Sequence, residues 1–255
     1  MNGAMAQDTV PRFAPPTDLL PTRPPLFRGW TFHAVIENPA INTRDFLSAQ
    51  SAMVELFHDM YGLTTTIVTH SASNIWTDAI FPGMHISPLV HRLLTLDRAH
   101  PPFGRLSPTE SIQEACRLAS LLYLGQLRRR FGFAQIPSAL YVCKLRALLI
   151  ESRLLDWDPF NLIYLWVLVM GGTCSGFAPV QERQQFAQLL VIFMRAWNIH
   201  RFDQVIGVVK GFLWVDDAFS HLAAGFQDEV EARVARQTGQ AAISTTGFSH
   251  LCGGY

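Results

Sequence analysis

The sequence predicts an all-α fold, a multi-helix bundle or an irregular helical array, and three observations carry that expectation. Apolar residues recur at helical spacing through most of residues 43–237. Start signals in which Ser or Asp precedes Pro stand before several of these stretches. Only residues 63–69, rich in threonine and β-branched side chains, argue for extended structure, and their glycine and histidine flanks suit a loop equally well.

Taken in order, the first helix is expected to be capped by Thr43. It should carry Phe46, Ala49, Met53, Leu56, Phe57 and Met60 on one face and end at Gly62. Ser87 followed by Pro88 opens a shorter one. Ser107-Pro108-Thr109-Glu110 is the strongest start, because Ser can cap, Pro takes the first helical position and Glu110 can reach back to close a capping box. Ile112, Ala115, Cys116, Ala119, Leu122, Tyr123 and Leu127 then form an apolar stripe. Arg128-Arg129-Arg130 lies where positive charge offsets the negative helix end, before Gly132, and reads as a solvated terminus, with a nuclear-import patch as the alternative.

Ser138 starts the next helix, through Leu140, Leu145, Leu148, Leu149 and Leu155. Asp158-Pro159 starts another that is apolar all round, which predicts a place inside the bundle and a stop at Gly171-Gly172. Residues 179–198 form a helix with Phe186, Leu189, Leu190, Phe193 and Trp197 inward, and residues 203–214 repeat the pattern with Val205, Ile206, Val209, Phe212 and Leu213. Residues 216–237 set Leu222, Phe226, Val230 and Val234 among Glu229, Glu231, Arg233 and Arg236, an amphipathic cover.

Six prolines among residues 1–29 mark a flexible arm, residues 30–240 form a single all-α domain, and residues 241–255 read as a loose tail. A chain of 255 residues can bury roughly 75% of its unfolded surface. Its 16% charged residues fall well below the usual value of about 25%, so a large core, exposed apolar surface or both are expected. Lys plus Arg and Asp plus Glu stand at 20 each, which leaves no overall positive field to draw the chain onto nucleic acid or anionic lipid. Cys116, Cys143, Cys174 and Cys252 are too scattered for a disulfide framework or a zinc motif. With no apolar leader at the N-terminus, an intracellular setting is expected, nucleus or cytoplasm. The longest continuous apolar run, residues 162–170, is nine residues against about 20 needed to span a bilayer, so no membrane span is expected.

No motif names a reaction. A glycine-rich phosphate loop, a nucleophile elbow and a His-Glu-x-x-His pair are all lacking, and neither a cofactor nor a metal is expected. Asp217 and His221 lie four residues apart on one helix face and are the weak catalytic candidates, as an acid/base pair or two ligands; the plainer reading is a capping acid and a solvated histidine. Arg117 lies beside an apolar stripe and could hold a ligand carboxylate, or simply an internal salt bridge. The aromatic residues fall mainly on apolar stripes, where they form core or line an apolar pocket, with Trp166 and Trp214 as the ligand-binding candidates.

Cys116-Arg117-Leu118-Ala119 followed by Leu122-Tyr123-Leu124, then Leu165-Trp166 with Gly171-Gly172, then Phe186, and finally Val208-Val209-Lys210-Gly211-Phe212-Leu213-Trp214, resemble in order and spacing the regulatory domain of fungal-specific transcription factors of the zinc-cluster family. The resemblance covers roughly residues 105–235. It implies an all-α regulatory module associated with transcriptional control, responsive to partners or small molecules, and supplies no catalytic residues. The six-cysteine zinc cluster of that family has no counterpart here, since the first cysteine is Cys116, so direct sequence-specific DNA binding is not expected. The function expected is a stand-alone regulatory protein acting through a protein partner, such as a transcription factor or a second copy, or through a bound small molecule, in control of secondary or other metabolism. The alternative is a repurposed helical scaffold that binds or converts a small apolar molecule.

Overall fold

A computed structural model describes residues 43–71, 74–96, 106–133, 138–151, 157 and 161–248, without the side chains of residues 43–51, 177 and 237–248. Within it are eight α-helices and, among the described residues, no strand: α1 (Thr43–His70), α2 (Ser87–Thr95), α3 (Pro108–Arg130), α4 (Ser138–Glu151), α5 (Asn161–Cys174), α6 (Val180–Ala196), α7 (Phe202–Lys210) and α8 (Asp216–Phe248). The all-α expectation is met. The N-terminal arm of residues 1–29, Leu155, Asp158 and Cys252 lie outside the described residues, as do the side chains of Thr43, Phe46 and Ala49.

The strongest start signal works as its residues dictate. Ser107 Oγ accepts from the Glu110 amide at 3.3 Å and Glu110 Oε2 accepts from the Ser107 amide at 2.7 Å, which satisfies two otherwise orphaned donors. At its other end α3 closes through Gly132 at φ 81°, where the amides of Gly132 and Phe133 return to the carbonyls of Arg129 and Arg128. Asn198, at φ 54°, ends α6 in the same way. Trp197 has therefore already left the helix, and its ring lies half exposed, stacked on Phe193 at 5.6 Å, instead of pointing inward as expected. Arg128 also departs from expectation. It is buried to 5% exposure against the Phe133 ring, and only Arg130 of the three arginines is exposed.

Helix α1 continues through Gly62 to His70, so residues 63–69 are helical. Leu63 and Ile67 extend the buried face begun by Met53, Leu56 and Met60, and tertiary packing overrides the strand preference of the threonines. Those threonines are accommodated by back-bonding: Thr64 Oγ1 donates to the Met60 carbonyl at 2.7 Å and Thr66 Oγ1 to that of Gly62 at 2.9 Å. The Thr64 oxygen also meets the Tyr123 hydroxyl at 2.7 Å, tying α1 to α3. Burial drives the Tyr123 hydroxyl far above its ordinary pKa, with the Thr64 bond opposing, so it stays protonated.

Helix α5 is the centre of the body. Every residue from Ile163 to Cys174 is buried, and α3, α4, α6, α7 and α8 all pack on it. The glycine pair does not end it: α5 runs on through Gly171 and Gly172 to Cys174. A Cβ added at Gly171 would lie 2.1 Å from the Phe186 ring of α6, and one at Gly172 would lie 2.1 Å from the Phe226 ring of α8. The missing side chains are thus the seats of two aromatic rings, and close approach, not backbone freedom, explains both glycines. Helix α8 reaches Phe248, beyond the end expected near Gln237, because residues 238–247 hold no proline and an established helix propagates through weak formers.

Alanine at Gly171 or Gly172 is expected to lower stability by about 1–3 kcal/mol through overpacking, despite a helix-propensity gain of about 1 kcal/mol. Gly207, inside α7 with nothing within 4 Å of an added Cβ, should respond with the opposite sign, gaining about 0.5–1 kcal/mol as alanine. Thermal melting by circular dichroism compares the three; upward shifts at all of them would contradict the seating of the rings.

Candidate functional site

Three indole N–H groups converge on the short junction between α7 and α8. Trp166 donates to the Leu213 carbonyl at 3.0 Å, Trp214 to Asp216 Oδ1 at 3.0 Å, and Trp76 to Asp217 Oδ2 at 3.1 Å. Each comes from a different part of the fold: Trp166 from central α5, Trp214 from the junction itself, and Trp76 from the connection between α1 and α2. Gln126 of α3 adds a bond from Nε2 to the Ala218 carbonyl at 3.3 Å. Phe212, expected inside a helix, instead turns inward past the end of α7 and packs on Trp166 and Phe57 at 5.5 and 5.6 Å.

Asp216 opens α8, where the helix dipole favours a negative charge. Partial burial pushes its carboxyl pKa up, but hydrogen bonds from Lys210, Trp214 and Ser220, with the Lys210 charge, outweigh that and hold it below the ordinary carboxylate value.

Beside this junction α7 and α8 border an open groove of about 350 Å³. One wall is Asp203, Ile206, Gly207 and Lys210; the other is Ser220, Ala223, Ala224 and Gln227. Both sets have the spacing i, i+3, i+4, i+7, which is the four-residue outline of a hole that receives a side chain of a packing helix. Phe202 and Trp214 complete the lining. Three of the eight wall positions are glycine or alanine, so an incoming backbone can approach closely.

The residues singled out in the sequence are not gathered in one place. Trp214 lines the groove, whereas Trp166 is fully buried and serves the junction from the core, edge-on to Phe57 and Phe212 and tilted against Tyr123. Arg117 is buried to 2% exposure, with Nε and Nη2 each 2.7 Å from a different oxygen of Glu114. Asp217 is held by Trp76; His221 is exposed, and no hydrogen bond or ion pair joins the two among the described residues. No group of three or more His, Cys, Asp or Glu positioned for a metal occurs among the described residues. Burial pushes the Cys174 thiol up to about 12, with the Arg129 charge opposing, and raises Cys116 further, so neither acts as a nucleophile near neutrality. No described helix is long and apolar enough to cross a membrane. Gly207, Ala223 and Ala224 escaped sequence reading because such small residues carry little hydrophobic signal; only their paired i, i+3, i+4, i+7 spacing on adjacent helices marks them.

No family model, curated protein or solved structure matches this chain.

Trp166→Phe leaves the Leu213 carbonyl without its buried donor and should cost about 1–3 kcal/mol, whereas Trp76→Phe, at an exposed carboxylate, should cost under about 1 kcal/mol; urea unfolding separates them. A carboxyl held below its ordinary pKa stabilises the fold above its unfolded value and loses that contribution as pH falls through its folded value. The melting-temperature gap between wild type and Asp216→Asn should accordingly be complete at pH 6 and close below about pH 4. A gap that widens on acidification would contradict this role.

Proposed function

We propose that this chain is a regulatory protein of transcription, acting through a protein partner, with metabolic genes as its targets and the nucleus or cytoplasm as its setting. The observation that carries the reading is the groove between α7 and α8. Its two walls repeat the outline that accepts a helix, and it opens to the surface, with Asp203, Gly207, Lys210 and Ser220 of its lining exposed. Enclosed apolar cavities with a few convergent polar groups suit small ligands. Here the large aromatic side chains of the core pack against one another, and the polar groups at the rim already pair with neighbours: Asp203 with Arg201, and Lys210 with Asp216. That arrangement supports docking of a protein segment over binding or conversion of a small apolar molecule.

The neutral charge balance fits an indirect role, since 20 basic against 20 acidic residues supply no field for phosphate backbones. The resemblance of the helical segments at residues 114–124 and 208–214 to transcription-factor regulatory domains points in the same direction.

Transcript abundance in the source cells with and without the gene tests the reading, and a coherent set of genes should change. Gly207→Arg puts a long side chain at the groove, where a Cβ meets no described atom within 4 Å, and should reproduce the loss while leaving helical content intact. Unchanged transcripts after deletion would overturn the regulatory reading.

A further inference from the structure

We infer that the groove receives a second copy of this chain: α7 of each copy lies antiparallel along the α7–α8 groove of the other, about a two-fold axis that passes beside Gly207. The inference rests on reading the groove as a helix-docking face, and is independent of what the protein regulates.

Charge position carries it. Helix α7 bears Asp203 in its first turn and Lys210 in its last, both exposed on the face that lines the groove. An antiparallel copy sets Asp203 of each chain against Lys210 of the other, and the two contacts are made at once because a two-fold interface is self-complementary. A parallel copy would set acid on acid and base on base. Positions 203 and 210 are symmetric about a point between Ile206 and Gly207, so the axis that pairs them crosses the helix there. Gly207 is where the helix has open space instead of a side chain. A glycine inside a nine-residue helix weakens it by about 1 kcal/mol relative to alanine, and among the described residues no close contact requires it. Closest approach of two backbones at the axis does require it.

The present partners do not block the exchange. The pairs Arg201–Asp203 and Lys210–Asp216 are exposed, with side-chain exposures of 74% and 62% in the first and 47% and 59% in the second, and exposed pairs of this kind contribute little. An ammonium group has three donors, so Lys210 can keep Asp216 while reaching a second carboxylate. Ile206, half-buried on this same face, supplies apolar surface for the contact. A nine-residue helix is only about 13 Å long, so the buried area falls toward the low end for specific interfaces and a dissociation constant in the micromolar range is expected.

Sedimentation of the full-length chain across the micromolar range tests this. Wild type should pass from monomer to dimer with rising concentration. Asp203→Lys and Lys210→Asp should each weaken self-association at least tenfold, because each creates like-charge contacts on both sides of the axis. An equimolar mixture of these two variants should associate more tightly than either alone, since both contacts then become attractive; this arm needs only that each variant retains its circular dichroism spectrum. Gly207→Arg should be monomeric. A wild type that is monomeric throughout would overturn the inference, whether or not a foreign helical protein binds the groove. So would a dimer insensitive to Gly207→Arg, or a mixture that associates no better than its components. A monomer whose deletion still shifts transcripts would remove the dimer alone, while a groove-dependent dimer with unchanged transcripts would remove the regulatory reading alone.

Discussion

The fold depends on two aromatic rings seated on bare backbone. Phe186 of α6 and Phe226 of α8 occupy the space that side chains at Gly171 and Gly172 would fill, so both helices press directly against α5. Neighbouring contacts follow from that fit. Tyr164 of α5 reaches Phe193 of α6 at 5.8 Å, which with the Gly171–Phe186 contact makes the two helices antiparallel, and Phe202 of α7 meets Phe226 edge-on at 5.8 Å. Because α5 is buried on every side, a disturbance at the glycine pair reaches α3, α6, α7 and α8 together.

From that centre the packing passes outward through Trp166. Its ring belongs to the core and its N–H belongs to the junction, so the end of α7 is fixed by a residue of α5. Trp214 and Trp76 then anchor the first two carboxylates of α8 from two further directions. Trp76 is itself held between the Phe131 ring at 4.7 Å and the Arg130 guanidinium at 5.1 Å. The junction is short and heavily tied, and it sets the separation of α7 and α8 that opens the groove. A rigid display of small residues in two adjoining four-residue outlines needs such anchoring, since helices free to slide would close over glycine and alanine positions.

Where the sequence signal is local, the residues announced the structure. Ser107 with Glu110 gave the start of α3, and Gly132 its end, because a cap is made by neighbours in the chain. The unbroken apolar run of α5 announced its central place for a similar reason. Where a residue type serves two purposes, tertiary packing decided between them. Gly62, Gly171 and Gly172 look like helix ends and are not: one is passed over by a continuing buried face, and two are seats for rings from distant helices. Arg128 reads as a solvated end until the aromatic Phe133 is brought back over it. At the candidate site, Trp214 is singled out as an aromatic at the end of an apolar stripe, while the groove it borders is defined by Gly207, Ala223 and Ala224, whose meaning lies in the space they leave.

Amide hydrogen exchange on the full-length chain, followed by mass spectrometry at low and high protein concentration, tests the whole account in one measurement. A central α5 with an outer docking face at α7 requires the slowest exchange in residues 163–172, independent of concentration, together with protection in residues 203–210 that rises as concentration rises. Residues 163–172 exchanging as fast as α7, or α7 exchanging at a rate indifferent to concentration, would contradict it.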